Sequence, residues 1–273
     1  MSRSFMLIAL MIFGCTSAPA QQQTAAPPPP PPAQGAAPQP AANIAADQSD
    51  VDAILDRLDR RGKNLTDFTA DVRLQEDDEA VGTSIVRTGK VLFQKLPGDD
   101  ARMRMSLDKK EVRGKTRDEK LEYVYAGGWL TDRDYGRKTN KRRQVVRPGE
   151  KINLLKLGEG PFPLPLGQDK ADVHRMFDVK KINRAQDDPA NGLHLQLTPK
   201  ADSRYAKKFD AIDFWVDPTS DMPVRVRSTE GDQIRTWDLS NIKVNVGMAD
   251  RDFELPAVDE KQWQMDEAPY DQR

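Results

Sequence analysis

The spacing of hydrophobic residues changes from helical to strand-like within residues 51–74. The first apolar positions recur at intervals of three and four, with charged residues between them: Val51, Ile54, Leu55 and Leu58. This spacing predicts one amphipathic helix, which begins near Ser49-Asp50 and ends near Gly62. Apolar and polar residues then alternate over 65–74, and this alternation predicts the first strand of a half-buried sheet.

Alternation of apolar and polar residues continues through most of the chain up to residue 246. Glycine- and aspartate-rich turns, such as Gly127-Gly128 and Gly231-Asp232, separate the strands. Tight turns connect antiparallel strands, whereas parallel strands need long crossover connections. We therefore expect an antiparallel meander. Its further strands are 82–95, 102–107, 121–125, 129–131, 141–146, 176–182, 193–198, 211–216, 222–229 and 234–246.

One segment, residues 150–177, interrupts the strands. It contains apolar residues, glycines and prolines, and its end at 168–177 has the pattern of a second short helix. A sheet of so many antiparallel strands must curl, because large flat sheets are unfavourable. The predicted fold class is mainly β with helices. We expect a curled antiparallel sheet, or half-barrel, with the two helical segments covering its concave face above an apolar cavity or groove.

The N-terminus has the pattern of a secretory signal over residues 1–20. A charged tip precedes a short apolar run at 5–13, which is too short to span a bilayer. Cleavage after Ala20 fits the small-x-small rule, whereas residues 12–15 resemble the lipobox of bacterial lipoproteins. Cys15 is the only cysteine, and lipidation would protect this thiol. We expect export to the periplasm and lipid attachment at Cys15; removal of Cys15 with the signal is the alternative.

Composition divides the rest of the chain into three parts. Residues 21–47 are rich in Pro, Ala and Gln, have no apolar period, and predict a disordered linker that reaches roughly 60–80 Å if extended. Residues 48–258 form the predicted domain, and 259–273 a C-terminal tail. We expect the domain to be monomeric.

The sequence lacks the residues that several common kinds of functional site need. The net charge of −1 provides no overall field for nucleic acid, so no nucleic-acid partner is expected. The sequence has no zinc-ligand spacing, no nucleophile elbow and no phosphate-binding loop. We expect no enzyme activity, no cofactor and no metal. The only histidines, His174 and His194, are expected at the surface. A hydrolase with paired carboxylates is the third hypothesis.

Several short segments, in their order along residues 48–258, resemble the periplasmic lipoprotein carriers of the LolA and LolB type. The resemblance implies a half-closed antiparallel barrel covered by helices, whose cavity holds the acyl chains of lipoproteins in transit. The matching segments are 68–72, 89–93, the strand with Arg102 and Arg104, 129–132, 193–200, 210–217, 238–245 and 253–256.

The resemblance also implies site residues. The family's carrier holds its lid shut with an arginine, so Arg102 and Arg104 are latch candidates, with an exposed strand face as the alternative. Methionines would make the cavity lining adaptable, although ordinary core packing explains them equally. The expected cavity residues are Phe68, Val72, Val91, Phe93, Met103, Met105, Leu154, Leu155, Phe162, Met176 and Phe214.

The expected function is the binding and transport of lipoproteins, or of their acyl chains, in the bacterial cell envelope. The alternative is an anchored interaction or sensor domain that uses the same fold with a partner protein and no lipid. The basic segment 133–147 is a candidate for contact with the anionic headgroups of an envelope membrane, or it is a solvated hairpin.

Overall fold

A computed structural model describes residues 41–98, 100–150, 154–155 and 166–270. The predicted signal peptide with Cys15, most of the predicted linker, and Phe162 lie outside these residues. Two α-helices are described, α1 (Ala41–Asn64) and α2 (Lys170–Met176), together with a short 3₁₀ helix at Asp250–Phe253. The strands are β1 (Asp67–Asp78), β2 (Thr83–Leu96), β3 (Asp100–Val112), β4 (Lys115–Ala126), β5 (Trp129–Asp134), β6 (Thr139–Gln144), β7 (Phe177–Ile182), β8 (Leu193–Pro199), β9 (Ala211–Val216), β10 (Pro223–Glu230), β11 (Gln233–Val244) and β12 (Gln264–Ala268).

All twelve strands belong to one curled, unclosed sheet in the order β12-β6-β5-β4-β3-β2-β1-β11-β10-β9-β8-β7. Every neighbouring pair is antiparallel except β12 and β6, which are parallel. The sheet therefore consists of two meanders, β1–β6 and β7–β11, which meet where β1 pairs with β11. The predicted mainly β class and the two runs of strands on either side of the insert are confirmed.

One face of the sheet carries the hydrophobic core, and we call it the inner face. Along β1, Phe68, Ala70, Val72 and Leu74 are buried while the residues between them are more exposed. Their partners on β2 continue the same face, since Phe68 pairs with Phe93. The buried residues of α1 belong to the same core cluster, and α1 packs against β7 and α2. Coverage of the whole concave face by helices stays a prediction.

The first helix begins earlier than the sequence pattern predicted. It starts at Ala41 rather than near Ser49, so residues 41–47 of the predicted linker are helical. Four alanines lie within these seven residues, and alanine has the highest helix propensity. No helix within the described ranges is long and apolar enough to cross a membrane.

The predicted C-terminal tail contains a strand. Residues Gln264–Ala268 form β12, which adds to the edge of the sheet beside β6. All its residues except the last are exposed. A strand without a buried face shows no apolar alternation, and for this reason the pattern did not indicate it.

Candidate functional site

The described members of the predicted cavity set lie together in the core. Nine of them are at most 4% exposed, and Met176 is partly buried against the same cluster. Phe162 lies outside the described residues. Side chains so completely buried leave little room for a ligand between them, and dense packing is the rule in protein interiors. Their role as cavity lining stays a prediction, because a packed core gives the same burial. The nine are Phe68, Val72, Val91, Phe93, Met103, Met105, Leu154, Leu155 and Phe214.

The described residues of the 150–177 insert are held against the end of α1. The backbone N–H of Leu166 donates to the carbonyl of Leu155 at 3.1 Å, and that of Gly167 donates to the carbonyl of Leu58 at 3.3 Å. Gly62 and Gly167 approach so closely that a Cβ on Gly62 would lie 2.0 Å from the Gly167 nitrogen. These contacts connect the insert to the helix rather than to the sheet alone.

The two latch candidates lie on the other face of the sheet and bind the C-terminal segment. Arg104 forms two hydrogen bonds of 2.9 Å to the carboxylate of Glu122, which raises the pKa of Arg104, and it also donates to the carbonyls of Asp252 and Glu254. Arg102 binds Asp250 at 2.7 Å. Neither arginine contacts the described part of the insert. Both arginines hydrogen-bond to the segment after β11, and their role as latches stays a prediction.

Arg133, at the start of the basic segment 133–147, is also occupied. It is buried and donates to the carbonyl of Pro256 at 2.6 Å and to Asn140. Arg142 forms an ion pair of 3.1 Å with Glu267 of β12. Arg133 and Arg142 therefore pack against the C-terminal segment. Lys141, which lies next to Arg142 on β6, faces a cavity.

A cavity of about 470 Å³ lies where the inner face changes from apolar to charged, and we call it the mixed cavity. The apolar wall of the mixed cavity continues the hydrophobic core, because Met105 belongs to the core cluster and also lines the cavity. Its other wall carries carboxylates and the guanidinium of Arg87. The lining residues are Leu74, Glu76, Asp77, Asp78, Thr83, Ile85, Arg87, Met105, Leu107, Tyr123 and Gln233.

A second cavity of about 440 Å³ adjoins the first, and we call it the charged cavity. Arg87 and Tyr123 line both. Nearly all its other residues are charged or polar. They are Lys110, Arg117, Asp118, Glu119, Lys120, Leu121, Asp132, Asp134, Gly136, Arg137, Thr139 and Lys141.

A chain of ion pairs crosses the inner face beside these cavities. Arg87 binds both Glu76 and Glu119, the latter at 2.7 Å. Lys110 lies 3.7 Å from Glu119, and Arg235 lies 3.8 Å from Glu76. The side chains of Arg87 and Lys110 are only 15% exposed. These five residues link the adjacent strands β11, β1, β2, β3 and β4, and we call them the charge ladder.

Burial changes the pKa of two groups that line the charged cavity. Burial, and secondarily the charge of Asp132, raises the pKa of Tyr123 to about 12. Burial also raises the pKa of Asp132, although Arg143 and Lys141 oppose this effect. A tyrosine hydroxyl is protonated at neutral pH with or without this shift, and that of Tyr123 offers a hydrogen-bond donor to the two cavities that the residue lines.

The two histidines differ from each other. His174 lies on α2 as predicted, and its Nε2 is 2.8 Å from Asp52 of α1. His194 was expected at the surface, but its side chain is only 10% exposed, so this prediction is wrong. It lies on the outer face between Asp213 at 2.9 Å and Asp188 at 3.7 Å, and it stacks on Trp215. Asp188 belongs to the segment between β7 and β8, which the alternation of β8 alone did not place over the histidine.

The apolar alternation of the strands did not predict the charged half of the inner face. Arg87 and Glu119 occupy inward positions, since they share strand parity with Val91 and Leu121. The parity of these charges was the available signal. Apolar alternation does not use this signal, because charged residues are most often exposed to solvent.

The comparisons with known proteins concern the fold. No protein-family model and no curated protein matches the chain. Among solved structures, a LolA superfamily protein from Nitrosomonas europaea matches at 12% identity over 74% of this chain and 96% of that one, with a TM-score of 0.33. LprF from Mycobacterium bovis matches at 16% identity over 77% and 98%, with a TM-score of 0.44.

A third solved structure, the MucA/MucB complex from Pseudomonas aeruginosa, matches at 12% identity over 76% of this chain and 61% of that one, with a TM-score of 0.43. One of these neighbours bears the name of the LolA superfamily. At such identities the likeness assigns no function.

Proposed function

We propose that this protein binds the acyl chains of lipids or lipoproteins in the bacterial cell envelope and carries them there without catalysis. The observation that supports this proposal best is the mixed cavity. It continues from the apolar core at Met105 and Leu107 to the charge ladder at Arg87. A site with one apolar end and one charged end suits an amphiphile.

The energetics favour an acyl chain in such a site. Transfer of a chain out of water stabilises the bound state by about 0.8 kcal/mol for each buried CH₂ group. A cavity of about 470 Å³ lies in the range of small-molecule sites. Met105 is flexible and polarizable, so the wall can adapt to chains of different shape. The predicted signal sequence places this binding outside the cytoplasm.

Filling the mixed cavity tests the proposal. Ile85 is half-buried on its wall, and its neighbour Val86 points to the outer face of the same strand. We expect Ile85→Trp to weaken the binding of an acylated peptide at least tenfold, and the matched control Val86→Trp to leave it unchanged. Fluorescence titration with the acylated peptide and with its unacylated form measures both.

Two results contradict the proposal. In one, the wild-type chain does not distinguish the acylated from the unacylated peptide. In the other, Ile85→Trp and Val86→Trp bind the acylated peptide as the wild type does, with thermal unfolding showing that both variants are folded.

The near-complete burial of nine predicted cavity residues favours a second candidate, an anchored interaction or sensor domain. A core that is already filled needs no lipid guest. This candidate predicts that a partner protein binds the lipid-free chain and that Ile85→Trp does not alter this binding. Pull-down from envelope extracts, with and without detergent extraction of lipid, separates the two candidates.

A further inference from the structure

The charged cavity has more cations than its own acids neutralise. It is lined by six basic and four acidic side chains. Glu119 is shared by Arg87 and Lys110, and Asp134 lies 3.6 Å from Arg137. Asp118 binds Lys109 outside the lining at 3.1 Å, and Asp132 is influenced by Arg143 and Lys141. Six cations against four acids leave remaining cations that the carboxylates of the cavity do not neutralise.

Two of these remaining cations are Arg117 on β4 and Lys141 on β6. Within the described ranges neither forms a hydrogen bond or an ion pair. Both are exposed on the inner-face side of their strands, where Lys110 pairs with Arg117 and Asp132 pairs with Lys141 in the sheet register. Clustered cations repel one another, and an anion between them relieves this repulsion.

The two cavities share residues that allow one ligand to span both. Arg87 and Tyr123 line each of them. The apolar wall of the mixed cavity lies on one side of this pair, and Arg117 and Lys141 lie on the other. A ligand with an apolar chain and an anionic end therefore fits: its chain contacts the apolar wall, and its anionic end reaches the cations on the other side of Arg87 and Tyr123.

We propose that the charged cavity binds the headgroup of an anionic single-chain lipid whose acyl chain lies in the mixed cavity. The inference rests on the proposed function and specifies its ligand class: a lipid with a phosphate or carboxylate headgroup. Arg117 and Lys141 bind the anion, and Tyr123 donates a hydrogen bond to it. Guanidinium groups suit such oxyanions because their N–H donors match the geometry of two oxygens.

Competition between lipids of equal chain length tests this assignment. The purified chain is titrated calorimetrically with an anionic lysophosphatidylglycerol, a zwitterionic lysophosphatidylcholine, and inorganic phosphate. We expect the wild type to bind the anionic lipid about tenfold more tightly than the zwitterionic one, and to bind inorganic phosphate only weakly. High salt should reduce the preference, since exposed charges are screened.

Charge variants locate the site. The double variant Arg117→Gln/Lys141→Gln should bind both lipids with the affinity of the wild type for the zwitterionic lipid. Asp132→Asn removes a negative charge from the cavity wall and should tighten binding of the anionic lipid a few fold. Lys90→Gln is the matched control, because Lys90 is an exposed cation on the outer face of β2, and it should retain the wild-type preference.

Three results overturn the inference, and they differ in what they say of the proposed function. Equal affinity of the wild type for the two lipids removes the headgroup site and leaves acyl binding intact. Tight binding of inorganic phosphate that depends on Arg117 and Lys141 replaces the lipid site with a free-anion site. Binding of neither lipid removes the inference together with the proposed function.

Discussion

Gly89 lies where the register between β2 and β3 shifts. Thr88 pairs with Lys109 and Gly89 pairs with Leu107, so β3 contains one additional residue, a β-bulge. A Cβ on Gly89 would lie 1.8 Å from the carbonyl oxygen of Ser106, a backbone atom that cannot move aside cheaply. The bulge reverses the parity of β3 beyond this point and places Lys110 on the inner face opposite Arg87.

We therefore expect Gly89→Ala to destabilise the fold by about 1–3 kcal/mol, the usual cost of overpacking. The free energy of unfolding in urea measures this loss. Gly136→Ala is the matched control, because the nearest atom to its added Cβ is a carboxylate oxygen of Asp134 at 3.3 Å. Equal stability of the two variants would show that the bulge tolerates a side chain.

At the scale of elements, the segment after β11 makes contacts that the sequence did not predict. It runs along the outer face, where the ring of Phe253 lies 4.4 Å from the Arg102 guanidinium and Trp263 packs edge-on against Tyr135. It then ends in β12 at the edge of the sheet. The segment therefore covers β3–β6 and protects their edge.

Truncation after residue 258 should expose β6 as the new edge strand. We expect faster amide hydrogen exchange in residues 139–144, because their hydrogen bonds to β12 are lost, and unchanged exchange in β1 and β2, which lie at the centre of the sheet. Exchange followed by mass spectrometry measures both regions, with truncation after residue 270 as the control. Unchanged exchange in β6 would mean that β12 contributes no protection.

The presence of most strands was easier to predict than the residues at which elements begin and end, or than the additional strand β12. Alternation predicted β1–β11, because most of these strands have a buried and a less buried side; β9 is buried on both sides. The pattern missed the early start of α1, since Ala41 and its neighbours have helix propensity but no amphipathic period. It missed β12 because four of the five residues of that strand are exposed.

At the scale of the whole molecule, one continuous sheet unites residues that are distant in the chain. Phe68 on β1 pairs with Val244 on β11, and this junction joins the two meanders. The sheet does not close, because β7 and β12 lie at opposite edges. An open sheet leaves the inner face accessible along its charged end, where both cavities lie.

The N-terminal sequence leads to a prediction about how the whole chain is processed. We expect the protein isolated from its native membrane to begin at Cys15 and to carry lipid there, since residues 12–15 resemble a lipobox. Intact mass measures this directly. A Cys15→Ala variant should lose the lipid and leave the membrane fraction. An unmodified chain that begins at Gln21 would contradict the expectation and support the other cleavage site.

Only a small part of the candidate site was accessible from the sequence. One residue of its apolar wall, Met105, was among the expected cavity residues, because it lies in an alternating strand whose other side is charged. Its charged wall was not predicted, because Arg87 and Glu119 are 32 residues apart and form their contact only through the pairing of three strands. Local patterns contain no information about such cross-strand neighbours.

The sequence by itself determined the order of helices and strands, the mainly β class and the burial of residues such as Phe68, because alternation and spacing are properties of neighbouring residues. Only the tertiary structure decided which inward-facing charges meet. Strand order brings Arg235 of β11 beside Glu76 of β1, and the bulge at Gly89 turns Lys110 inward. The physical reason is that register across a sheet depends on pairing between distant segments, and a shift of one residue moves a side chain to the opposite face.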